Sequence, residues 1–398
     1  MAKEKVLVVG GGFGGVKAAL GLVDDSRFEV TLISDTADLR YYPTLYHVAT
    51  GGRRANSSIP LNRIFDGKDI TIIKDTATNI DRKARTVTTA SGALYSYHTV
   101  ILGLGVVTNY FGIPGLAEYA YSIKSQGEVE RFKAHLHQQL TEEHKPDLNY
   151  VIIGAGPTGI ELAGALPSYL KQIMRNHGVA ERVVHIDLIE ALPRLLPRMP
   201  RDTSSRVKRQ LKKLGIRLYL GSAVQGETAD ELTVNGKAIR SHTVVWTAGV
   251  MNHPFFNDNH FAIMGHGKVG VDTYLQADEN VFVIGDNANT PYSGLAQTAL
   301  YDGAFVAHNL KRRADGKPFN SYIANPVISV IPAGPHWAAV NWGKLRLYGW
   351  LGYALREAAD FIGFRDVEPL RLAAKQWLTE FESQDNCEVC AIATASMQ

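Results

Sequence analysis

Apolar residues are spaced in two ways along this chain. Val6 to Val9, Phe28 to Ser34, Asn149 to Ile153, Val183 to Ile189 and Asn280 to Ile284 are short apolar runs that predict buried strands. Val16 to Val23, Ile160 to Leu170 and Ser293 to Leu310 read as helices. Twice a strand meets a helix through little but glycine: Gly10-Gly11-Gly12-Phe13-Gly14-Gly15, then Gly154-Ala155-Gly156-Pro157-Thr158-Gly159.

Strand, tight turn and helix in that order suit a nucleotide. Gly10 permits the turn, Gly12 lets the backbone come against a pyrophosphate, and Gly15 lets helix and strand pack closely, while the helix N-terminus presents amides and a positive dipole end. The same pattern recurs through Gly154, Gly156 and Gly159. One such pattern alone is also compatible with a turn that binds nothing.

An acid at the tip of the second strand is expected to hold a ribose hydroxyl pair. In the first unit Ser34 stands there, with Asp35 one residue on; in the second it is Glu190. A carboxylate at that point accepts from both ribose hydroxyls and repels a 2′-phosphate, which favours NADH over NADPH. Arg194, Arg198 and Arg201 argue the other way, but they lie beyond the tip. The run from Asn280 ends in Gly285-Asp286, ahead of the third helix, where an aspartate can bond a ribityl hydroxyl of a flavin. Taken singly, Gly-Asp is equally a plain turn and cap.

Length and charge narrow the picture further. With 398 residues the chain has room for two or three domains and for large buried cofactors. A net charge of +3 leaves no nucleic-acid footprint, yet it is compatible with an anionic membrane surface. No window approaches the roughly 20 apolar residues of a spanning helix. The chain also enters its first strand almost at once, so we expect a cytoplasmic protein with at most peripheral membrane contact. Cys387 and Cys390 are the only cysteines, which excludes a disulfide framework or a thiol relay in the body of the fold, and no second pair completes a zinc site.

More specific than the glycines are Tyr41-Tyr42-Pro43-Thr44-Leu45-Tyr46-His47-Val48-Ala49-Thr50-Gly51, Asn109-Tyr110-Phe111-Gly112-Ile113-Pro114-Gly115, Gly154 to Glu161, and Trp246-Thr247-Ala248-Gly249-Val250. With these the chain resembles the two-dinucleotide-binding-domain flavoproteins, and more closely the type II (non-proton-pumping) NADH:quinone oxidoreductases. The resemblance implies an α/β fold of two Rossmann-like three-layer domains. An NADH-binding domain, 111–247, would be inserted in a split FAD-binding domain, 1–110 and 248–330, with 331–398 forming a C-terminal amphipathic helical region. Cofactor contacts would come from Gly10, Gly12, Phe13, Gly14, Gly15, Ser34, Asp35, Pro43, Gly154, Gly156, Thr158, Gly159, Glu190, Gly249, Gly285, Asp286 and Ala296.

The resemblance also implies a reaction in which FAD takes hydride from NADH and passes two electrons to a quinone. It assigns Glu161 to the nicotinamide end, where the alternative is an ordinary acid in a first helical turn. It places Ala-Gln-x-Ala-x-Gln near the quinone. Here the stretch is Ala296-Gln297-Thr298-Ala299-Leu300-Tyr301, which keeps the first glutamine and replaces the second by tyrosine. A soluble NADH reductase with another acceptor, and a low-turnover NADH-sensing flavoprotein, therefore stay open.

In the C-terminal region Leu351, Leu355, Ala358 and Ile362 share one helical face, and Arg356, Glu357 and Asp360 the other. A second amphipathic stretch aligns Leu370, Ala374, Trp377, Leu378 and Phe381. Lys344, Arg346, Arg356, Arg365, Arg371 and Lys375 are available to anionic headgroups. The expectation is peripheral attachment to the cytoplasmic face of the cell membrane, with packing on the FAD domain or on a second copy, as in a homodimer, as the alternative.

Overall fold

A computed structural model describes residues 3–141, 149–179 and 182–380. Phe381, Cys387 and Cys390 lie outside the described residues.

Two parallel sheets organise the chain. The larger has six strands in the order Gln276–Asp278, Val281–Val283, Thr99–Leu102, Glu4–Val9, Phe28–Ser34 and Ile70–Lys74, all parallel except the first. Its strands come from both ends of the region that encloses the second sheet. That sheet has four parallel strands in the order Arg217–Leu220, His185–Glu190, Asn149–Ile153 and Thr243–Trp246.

Alternate residues of each strand serve opposite faces, which is why these runs are apolar throughout. Val6, Val8, Leu32, Ile101, Phe282 and Ile284 pack against the helices Phe13–Leu22 and Ala296–Ala314. Leu7, Val9, Ile33, Val100, Leu102, Val281 and Val283 face Phe255, Phe256 and Phe261. The two helices approach closely: a Cβ on Gly303 would stand 2.2 Å from the Gly14 carbonyl oxygen. The expected strands and helices are present, with the third helix running Ala296–Ala314 instead of Ser293 to Leu310.

The C-terminal region is not helical alone. Ile328–Pro332, Ala338–Trp342 and Leu345–Gly349 form a three-stranded antiparallel sheet, followed by the helices Trp350–Arg365 and Leu370–Glu380. The sheet leans on the helix Pro157–Asn176, where a Cβ on Gly164 would lie 2.3 Å from the Gly334 nitrogen.

Here the structure corrects the reading of the first C-terminal helix. Arg356 and Asp360 are each only 6% exposed and point inward, so Arg356 is not a headgroup contact. Leu351 and Ile362 point outward at 55% and 49%. An amphipathic pattern gives the division between faces; it does not say which face meets the core.

Candidate dinucleotide and acceptor sites

Each glycine turn sits where strand order reverses, the crevice in which open α/β sheets bind ligands. At the first, Gly10 has φ +114°, and a Cβ there would lie 2.2 Å from the Gly103 carbonyl oxygen. At the second, Gly154 has φ +104°, and its Cβ would lie 2.7 Å from the Ala248 Cα. Gly15 and Gly159 are equally constrained: a Cβ on either would stand 1.9 Å from the carbonyl oxygen of Gly10 or Gly154.

Gly12 and Gly156 differ from their neighbours in facing open space, with no atom within 4 Å of a built Cβ. They are the N-caps of Phe13–Leu22 and Pro157–Asn176, and neither helix start has a side-chain cap. Uncapped amides beside room for a ligand make both turns fit a pyrophosphate. Phe13 and Gly14 are buried in the first turn of the first helix, whereas Thr158 is exposed in the first turn of the second.

The strand tips differ. Ser34 is 2% exposed, its Oγ accepts from Thr36 N at 3.3 Å, and Asp35 is paired with Arg40 at 2.7 Å. Glu190 braces the second turn itself, accepting from Ala155 N at 2.8 Å and Leu192 N at 2.9 Å. Arg194 is tied up locally, donating to the carbonyls of Met199, at 2.8 Å, and Pro197. This argues against Arg194 as a 2′-phosphate ligand.

The flavin end gathers around Gly285-Asp286. Lys268 donates to the Asp286 carbonyl at 2.7 Å and to Ser293 Oγ at 2.5 Å. Burial pushes the Asp286 carboxyl above its usual range, against the pull of Lys268 and Lys124. Lys124 Nζ is itself buried with no hydrogen-bond partner among the described residues, and burial pushes its pKa down to about 8 in spite of Glu128 and Asp286. An orphaned buried ammonium beside a carboxylate fits a polar group supplied by a cofactor. Ala296 opens the adjacent helix, and Gly249 packs on the Phe111 ring, where a Cβ would meet Cε2 at 2.5 Å.

Glu161 lies in a buried polar cluster that joins three parts of the chain. Arg356 Nη1 is 3.9 Å from Glu161 Oε1, while Nη2 donates to the Pro43 carbonyl at 2.7 Å and Nε to Asp360. The guanidinium also lies 5.9 Å from the Tyr46 ring centre. Burial pushes Glu161 up to about 8 and Asp360 to about 6, with Arg356 opposing both shifts. The sequence motif contained Pro43 and Tyr46, but Arg356 and Asp360 come from a distant helix, where the pattern puts them on the polar face and offers Arg356 to anionic headgroups.

Gln297 and Tyr301 meet at one cavity of about 180 Å³, lined also by Tyr322, Asn325, Pro326 and Val327. Both ends of the Gln297 amide are engaged by the backbone of Ile328: Nε2 donates to its carbonyl at 3.0 Å and Oε1 accepts from its nitrogen at 3.2 Å. Tyr301 and Tyr322 place their rings 5.6 Å apart. Sequence reasoning missed Asp302 and Tyr322, whose significance depends on a long-range contact.

Two dinucleotide turns, a flavin-type strand tip and a split parallel sheet define a two-nucleotide flavoprotein. The sequence profile of the pyridine nucleotide-disulphide oxidoreductase family matches residues 4–303, and the chain belongs to that family. It is 26% identical over 344 residues to a type II NADH:quinone oxidoreductase of Staphylococcus saprophyticus, covering 80% of this chain and 85% of that one. Its fold is similar to NDH2 of Plasmodium falciparum in complex with NADH, with a TM-score of 0.85 and 16% identity over 95% of this chain and 97% of the other. It is also similar to the sulfide:quinone oxidoreductase of Aquifex aeolicus, with a TM-score of 0.78 and 20% identity, covering 97% and 98% of the two chains.

Proposed function

We propose that this protein is an FAD-dependent NADH:quinone oxidoreductase that pumps no protons. The observation carrying the proposal is the pair of uncapped glycine turns at two sheet reversals, one of them braced by Glu190. The relatedness to type II NADH:quinone oxidoreductases supports the same reading. In this reading residues 1–110 and 248–330 hold FAD and 111–247 hold NADH, with the C-terminal region after them.

Bound FAD would supply the redox chemistry, accepting hydride from NADH and giving two electrons to the acceptor. The chain's own part is to hold and to position. Gly12 and Gly156 leave room for pyrophosphates against helix amides, Asp286 would hold the ribityl chain, and Lys124 would meet a polar group of the flavin. Glu190 takes the adenosine ribose of NADH. Glu161, kept close to Arg356, orients the nicotinamide end. Gln297 holds the cavity wall through Ile328, and Tyr301 offers a hydroxyl and a ring face to the quinone.

A lipid-soluble acceptor has to be met at a membrane. Among the described residues no helix is long and apolar enough to cross one. Trp350, Leu351, Ile362, Leu370 and Leu378 form an exposed apolar set on the C-terminal helices, near the exposed Trp342 and Leu345. Exposed Lys344, Arg365, Arg371 and Lys375 flank it. We infer that this surface seats peripherally on the cytoplasmic face of the cell membrane.

Two features, the tyrosine at 301 and the engaged Gln297, favour a second reading: an NADH reductase with a different acceptor. Steady-state NADH oxidation separates the readings. Fast turnover with a water-soluble quinone analogue is expected; turnover with other acceptors alone supports the second reading, and negligible turnover overturns both.

A further inference from the structure

The cavity that holds Tyr301 has a polar floor. Tyr322 reaches inward from it and donates to Asp302 Oδ1 at 2.7 Å. Asp302 is fully buried, and its other oxygen accepts from Gly285 N at 2.9 Å, in the turn that carries Asp286. The cavity, a tyrosine, a buried carboxyl and the flavin-type turn thus form one continuous line. At about 180 Å³ the cavity exceeds the roughly 150 Å³ that accepts a benzene ring.

We propose that Tyr322 and Asp302 form a proton relay to the acceptor, a reading that rests on the cavity being the acceptor site. A quinone becoming a quinol takes two electrons and two protons: hydride from the reduced flavin would bring both electrons with one proton, and the relay brings the second. In the relay Asp302 is protonated and the 2.7 Å contact reverses, its carboxyl O–H donating to the Tyr322 oxygen and freeing the Tyr322 O–H for the acceptor; that O–H bond breaks as its proton goes to a quinone oxygen, and the Asp302 carboxyl proton moves to the Tyr322 oxygen. The carboxylate left behind keeps the Gly285 N–H as donor. It regains a proton through Tyr322 once the quinol has left and solvent enters the cavity.

The surroundings suit this role. Burial, with the Asp286 carboxylate nearby, pushes Asp302 up to about 6, while Tyr322, Gly285 N–H and Lys268 oppose the shift. Such a carboxyl gains and loses a proton near neutrality, as a relay requires. Burial and the bond to Asp302 hold the Tyr322 hydroxyl protonated well above the ordinary tyrosine range. Its ring is fixed independently, edge-on to Phe305 at 5.2 Å.

The test compares acceptors that do and do not need protons. Ferricyanide takes one electron and no proton, whereas a water-soluble quinone needs both. In Tyr322→Phe, which keeps the ring, and in Asp302→Asn, which keeps the side-chain shape and one acceptor oxygen but carries no transferable proton, the ratio of quinone-linked to ferricyanide-linked NADH oxidation should fall about 100-fold. A wild-type ratio in both variants, including the case where the two rates drop together, overturns the relay. Tyr301→Ala tests the cavity reading beneath it. An unchanged quinone KM in that variant removes the acceptor from the cavity, whereas a raised KM with a wild-type ratio in Tyr322→Phe sinks the relay alone.

Discussion

The two glycine turns are nearly the same object built twice, and their strand tips are not. Each turn combines a glycine at φ above +100°, a glycine that no Cβ could replace, and a glycine facing open space at an uncapped helix start. The backbone demands of a pyrophosphate are the same for FAD and NADH, so the solutions coincide. The tips face different tasks. Glu190 accepts from one amide of its glycine turn, Ala155, and from Leu192 just past its own strand, and presents its carboxylate at the strand end, whereas buried Ser34 leaves the nearest acid, Asp35, engaged with Arg40. On the proposed reading, phosphate recognition resides in the main chain and nucleotide choice in one side chain.

The comparison breaks most sharply at the close-approach glycines. Gly15→Ala should abolish flavin retention, read from the visible absorbance of the purified protein, because a Cβ 1.9 Å from a carbonyl oxygen forces the helix off the strand. Gly159→Ala should keep the flavin and lose NADH saturation. If Gly159→Ala loses flavin as well, the turns do not serve separate nucleotides.

Glu190→Ala comes next. Removing a carboxylate that accepts from ribose costs about 1.5–3 kcal/mol, so KM for NADH should rise about 10- to 100-fold and that for NADPH much less. Equal changes for the two nucleotides would detach Glu190 from ribose selection.

Glu161→Gln probes the junction between the turns, and stopped-flow flavin reduction by NADH should slow about 10-fold. The same variant has a stability signature. The Glu161 carboxyl, with a pKa raised from 4.5 to about 8, keeps a proton in the folded chain that the unfolded chain releases between those values. Rising pH across that window therefore lowers stability, and the variant should flatten this part of the Tm–pH curve. An unchanged slope would contradict the assignment.

The smallest effect is at the C-terminal surface. Leu351→Ser should weaken flotation on anionic vesicles about 3- to 10-fold, from the loss of roughly half of the 1.5–3 kcal/mol that burying a whole leucine gives, its side chain being 55% exposed. Unchanged flotation, with a loss of self-association instead, would give that face to a second copy of the chain.

What the sequence made legible follows the same division. Gly10, Gly15, Gly154 and Gly159 could be assigned because only glycine meets the local backbone demand, a constraint that needs no knowledge of the rest of the fold. Arg356 and Asp360 could not. Charged residues on one face of an amphipathic helix ordinarily mean solvent, and here the partners that make burial tolerable, Glu161 and the Pro43 carbonyl, lie about 200 and 300 residues away in sequence. The Tyr322–Asp302 pair and the three-stranded sheet from Ile328 were hidden for the same reason: long-range contacts give them their meaning.

The central claim is that hydride enters from NADH at the second turn and leaves as electrons to a quinone. It is tested most directly by steady-state oxidation of NADH and of NADPH, each with a water-soluble quinone. We expect quinone-dependent oxidation of NADH at least about 10-fold more efficient, in kcat/KM, than that of NADPH. NADH oxidation that does not depend on the quinone, or equal use of the two nucleotides, would contradict the account.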